Sequence, residues 1–141
     1  MTERAEALAR LCRQFEIEIL YAFGSRAREA KEWLTGTHSR LPSGPSDMDM
    51  GVKVAPGTTL SVHEKVRLAL ALEDLLGATR VDLVCLSDAD PFVAANIVRG
   101  ARLHARDPYQ ADEYELYILR RAGDLAPLER ERMALILEKS R

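Results

Sequence analysis

Apolar residues recur at helical spacing near the start of the chain. Ala5, Leu8, Leu11, Cys12 and Phe15 follow an i, i+3, i+4 rhythm behind Thr2, a residue able to cap the helix they predict. The rhythm then changes. Residues 17–23, IEILYAF, are β-branched and aromatic and run into Gly24, the pattern of a strand entering a tight turn. Ser25 opens a second helical stretch, SRAREAKEWL, and residues 35–45, TGTHSRLPSGP, are rich in turn formers without periodicity, which predicts a surface loop. A second strand, DMDMGVKV, follows at once.

From Leu60 to Leu76 the chain predicts a longer helix, with Val62, Val66, Ala69, Leu70, Glu73 and Leu76 at helical spacing and Gly77 as its natural stop. Its RLALALEDLL segment is expected in the core. The stretch RVDLVCL is an apolar run broken only by Asp82, and such runs are expected in the middle of a covered sheet, where a charge would need a partner. Residues 91–99 predict a helix, ARLHA a short strand, and the tail two helices hinged near Gly123 to Pro127. The alternation implies an α/β (α+β) fold, a small mixed sheet flanked by helices. It also implies a single domain over 1–141, with a core at 1–106 and a helical tail at 107–141.

Length and charge narrow the function. A chain of 141 residues is long enough to bury a core unaided, and 47% hydrophobic with 30% charged residues is an ordinary globular balance. The net charge of −2 supplies no basic field, so direct nucleic-acid binding is not expected. Cys12 and Cys85 lie far apart in apolar stretches with no zinc-like spacing and read as reduced core residues. The first residues read as a charged amphipathic helix rather than a signal peptide, and no apolar run suits a membrane span, so a cytoplasmic protein without membrane contact is expected. Trp33 and Tyr21 are expected to pack, and His38, His63 and His104 to be structural or exposed. ERERMALILEKSR reads as a solvated face beside an apolar stripe.

Two segments carry chemistry. Alternate residues of a strand share a face, so Asp47 and Asp49 project together, and like charges so close call for a cation between them. Oxygen ligands with room left for phosphate suit Mg²⁺ or Mn²⁺. Asp82 is a candidate third ligand if its strand lies beside DMDMGVKV. Gly24 lets backbone approach a phosphate, and Ser25 adds a hydroxyl at a helix start, where free N–H groups favour anions. Arg26 and Arg28, in the following turn, are candidates to meet triphosphate charge.

The ordered set GSRAR, SDMDMGV and VDLVCL resembles the minimal nucleotidyltransferase branch of the DNA polymerase beta superfamily, over roughly residues 17–86. The chain departs from that pattern in a longer spacer, 21 residues between Ser25 and Asp47, and in Glu29 where a glycine is common. The resemblance implies a polymerase beta-like palm fold and assigns Gly24, Ser25 and Arg28 to the triphosphate of ATP. It gives metal binding to Asp47, Asp49 and Asp82, with Asp82 also helping to draw the proton from the attacking hydroxyl as pyrophosphate leaves. Members of this branch often act as the antitoxin of a paired HEPN ribonuclease, transferring AMP to a tyrosine on the toxin. The resemblance therefore implies a HEPN toxin partner, with homo- and hetero-oligomers both open. Two alternatives stand beside it: a small-molecule nucleotidyltransferase of the aminoglycoside type, and a non-catalytic toxin-binding module.

Overall fold

The computed structural model describes residues 2–36 and 47–139. Most of the expected 35–45 loop therefore lies outside the described residues. Helix α1 spans Glu3–Gln14, and Thr2 caps it by accepting a hydrogen bond from the Ala5 amide at 3.1 Å. Strand β1 (Ile17–Phe23) leads through a 3-10 turn, Gly24–Arg26, into α2 (Ala27–Leu34), so the second helix begins two residues after Ser25. Then come β2 (Met48–Val54), α3 (Val62–Leu76), β3 (Val81–Cys85), α4 (Pro91–Val98), β4 (Ala101–Ala105) and α5 (Pro108–Lys139).

The four strands form one mixed sheet in the order β3-β2-β1-β4. β1 is antiparallel to both β2 and β4, while β2 and β3 run parallel. Alternation along β2 divides the molecule. Met48, Met50 and Val52 join Leu20 and Ala22 under α1, α2 and α3, where Trp33, Leu68, Leu72 and Leu76 complete one core. Asp49, Gly51 and Lys53 face the opposite layer, in which Ile19 and Tyr21 pack on Ile97 of α4 and Ile118 of α5. The Tyr21 side chain is fully buried and its hydroxyl donates to Glu115 of α5 at 2.9 Å, which ties β1 to that helix. Cys12 and Cys85 are free and buried, as expected.

Three expectations need correction. On α3 the buried residues are Leu68, Leu72 and Leu76, whereas Val62, Val66 and Leu70 are exposed, so only part of RLALALEDLL is core. Two apolar stripes satisfy helical spacing there, about 200° apart around the axis, and the larger leucines occupy the core. Second, β3 is an edge strand rather than a central one, and Asp82 is exposed rather than buried. Third, the tail is one helix that continues through Pro127. The ring removes one hydrogen bond, that to the Gly123 carbonyl, and both residues are exposed, so water can serve the freed oxygen. Among the described residues no helix is long and apolar enough to cross a membrane.

Candidate active site

β1 delivers the site. Its last residue, Phe23, is opposite Asp49 in the antiparallel ladder, and Gly24 turns the chain with φ +76°, a conformation that side-chain-bearing residues rarely adopt. A methyl group on Gly24 would stand 2.8 Å from Asp49 Oδ2, so the turn needs glycine for space as well as for backbone. Ser25, the next residue, is exposed within that turn. On the other side of β2, parallel register sets Asp49 directly opposite Asp82.

Asp47 sits two residues before Asp49 and is partly exposed. Burial raises the Asp49 carboxyl above its ordinary pKa, and the charges of Asp82 and then Asp47 push it in the same direction. The Asp49 carboxylate thus feels both neighbouring carboxylates beside the Gly24–Ser25 turn. Gly24, Ser25, Asp47, Asp49 and Asp82 are brought to one end of the β1–β2–β3 sheet.

The arginines behave differently. Arg26 is only 6% exposed, and its guanidinium binds Glu29 at 3.0 Å, so it is not free to meet a triphosphate as the turn position suggested. Glu29, the residue standing where a glycine is common, is one partner that holds it. Arg28 is 91% exposed and pairs with Glu32 one turn along α2, at 3.3 Å. Arg80 was not singled out by the sequence. Its Nε lies 3.6 Å from Asp47 Oδ2. The signal was present, because pairing Met48 with Val81 in a parallel register sets Arg80 against Asp47. His63 is exposed and His104 is half-buried, while His38 lies outside the described residues.

The candidate donors fit a hard divalent cation in their chemistry: all are carboxylate oxygens, and a cation would offset both the burial and the neighbouring charges of Asp82 and Asp47 that raise Asp49. In the geometry at hand, no group of three His, Cys, Asp or Glu among the described residues closes to metal-holding distance. Asp47 instead leans toward Arg80. A cavity of about 340 Å³, lined in part by Glu18, Lys53, Arg106, Tyr114 and Tyr117, lies further along the same sheet face, four residues down β2 from Asp49.

These features define a nucleotidyltransferase-like palm, and comparison with known proteins agrees. The profile of the family described as Polymerase beta, Nucleotidyltransferase matches residues 6–109, and the chain belongs to that family. No curated protein matches the sequence. Among solved structures, the chain is similar to a mutant MntA-HpeT toxin-antitoxin complex, at 20% identity over 97% of this chain and 98% of that one, with a TM-score of 0.67. A toxin-antitoxin structure with AMP-PNP is similar at 22% identity, covering 97% and 98% of the two chains with a TM-score of 0.63. The tri-AMPylated HEPN toxin of Shewanella oneidensis in complex with its MNT antitoxin gives 20% identity, 98% and 97% coverage, and a TM-score of 0.63. At such identities the likeness is one of fold, and it extends through α5.

Proposed function

We propose that this chain is an antitoxin that transfers AMP from ATP to a tyrosine hydroxyl of a partner HEPN ribonuclease toxin in the cytoplasm. The observation that carries the reading is the seating of the Gly24 turn against the Asp49 carboxylate, with Asp82 opposite it across the parallel ladder. The Gly24–Ser25 turn presents backbone N–H groups and a hydroxyl to the β and γ phosphates. Asp47 and Asp49, with Asp82, would hold Mg²⁺ or Mn²⁺, which supplies charge neutralisation at the entering and leaving oxygens.

Asp82 stands on the exposed sheet edge, where an acceptor can reach it, and takes the proton of the attacking hydroxyl. The acceptor oxygen then bonds to the α-phosphorus as the bond to the bridging oxygen breaks, and pyrophosphate leaves with its electron pair. Support comes from the family membership and from fold neighbours that include an AMPylated HEPN toxin and an AMP-PNP complex. The test is incubation of the protein with α-labelled ATP, Mg²⁺ and a HEPN partner encoded beside it. Label on the partner, lost in Asp47→Ala, is expected. Neutralisation of the toxin that survives Asp47→Ala and Asp49→Ala without any labelling would overturn catalysis in favour of plain binding, and labelling of an aminoglycoside instead would overturn the acceptor.

A further inference from the structure

Among the described residues, Arg80 pairs with one of the three site carboxylates, and the fold fixes its position at one end only. Its carbonyl accepts the Met48 amide at 2.9 Å, so the backbone is held by the β2–β3 ladder. Its side chain is 74% exposed and meets Asp47 at 3.6 Å, an ion pair without hydrogen-bond contact. A solvated pair of this kind is weakly held. Arg80 and Asp82 are two residues apart across the start of β3, so they project to the same side. Both stand across β2 from the Gly24–Ser25 turn, because β2 lies between β1 and β3.

We infer that Arg80 is a further active-site residue with two alternating partners, the Asp47 carboxylate and the oxygens of the reacting phosphate. A divalent cation and the Arg80 guanidinium compete for the same carboxylate. Once the cation holds Asp47, Arg80 is released on the Asp82 side, where the acceptor enters, and not at the β and γ end that the turn receives. A guanidinium there presents planar paired donors to non-bridging oxygens as charge develops on them. This rests on the proposed transfer reaction. It differs from that reading in assigning Arg80 a cost in cation binding as well as a gain in catalysis.

The two effects carry opposite signs, which a merely structural residue would not produce. Mn²⁺ binding to the full-length protein without nucleotide, followed by electron paramagnetic resonance, should tighten in Arg80→Gln by roughly two- to fivefold, the worth of an exposed ion pair. The gain should vanish in an Asp47→Asn background, as a double-mutant cycle requires. In AMP transfer to the HEPN partner, Arg80→Gln should lower kcat on the order of tenfold or more with KM for ATP nearly unchanged, and Arg80→Lys should recover part of the loss. Equal or weaker Mn²⁺ binding in Arg80→Gln would overturn the inference, as would a raised KM with kcat intact. A wild-type protein that binds Mn²⁺ but transfers no AMP overturns the proposed function, while the Mn²⁺ comparison still decides whether Arg80 competes for Asp47. A wild-type protein that binds no Mn²⁺ overturns both.

Discussion

Replacing Asp49 by Asn should stabilise the metal-free protein, although it removes the residue at the centre of the site. Asp49 faces Asp82 directly across a parallel strand pair, at a strand spacing of about 4.8 Å. Two unit charges about 5 Å apart repel by roughly 0.8 kcal/mol in water and several-fold more at the dielectric of a protein surface; Asp82 is exposed, so the screened end of that range applies. Asp47 adds a smaller amount in the same direction. Asparagine keeps the shape and removes the charge, so a gain of about 1 kcal/mol is expected, near 4 °C in Tm for a chain of this size. The sign against pH follows from the raised carboxyl. Folding favours the protonated form of Asp49, so its favourable contribution is present below the ordinary carboxylate pKa and is lost as pH rises through the raised folded value. The advantage of Asp49→Asn should therefore be absent at low pH, grow across that window and level off above it. Thermal unfolding by circular dichroism in EDTA, from acid to neutral pH, measures this, and added Mn²⁺ should reverse the order by stabilising the wild type alone. A variant that is no more stable than wild type at neutral pH in EDTA would refute the charge-crowding argument.

Gly24→Ala should lose about 1–2 kcal/mol by urea denaturation from its left-handed backbone alone, and AMP transfer should fall further because the added methyl displaces the Asp49 carboxylate. On α3, Leu72→Ala should cost about 2–5 kcal/mol, whereas Leu70→Ala, on the exposed stripe, should stay within about 0.5 kcal/mol; equal losses would mean that the assigned faces are wrong. Pro127→Ala restores a donor to α5 and should slow amide exchange over 124–139, with little change in global Tm, since residues 131–139 are all exposed.

What was legible in the sequence is what local chemistry dictates. Gly24 after an apolar strand requires a turn, which the structure has, and Asp49 lies on β2 with Asp47 as the residue just before that strand begins. The chain could not tell which of two apolar stripes on α3 faces inward, because LALAL satisfies both and only packing into the shared core selects Leu68 and Leu72. Nor could periodicity place β3. A run such as VDLVC looks doubly covered, yet edge position depends on which strands pair, a long-range choice absent from any window.

That same choice decides the chemistry. An interior β3 would have placed another strand beside Asp82 and Arg80, on the side that is open at the sheet edge. At the edge, β3 keeps its apolar residues Val81 and Cys85 against the core that α3 covers, while Asp82 and Arg80 stay open to solvent. The parallel register that sets Asp49 against Asp82 also brings Arg80 to Asp47, so the position of one short strand sets the charge density of the candidate site, and in the proposed reaction it leaves the Asp82 side open to an acceptor.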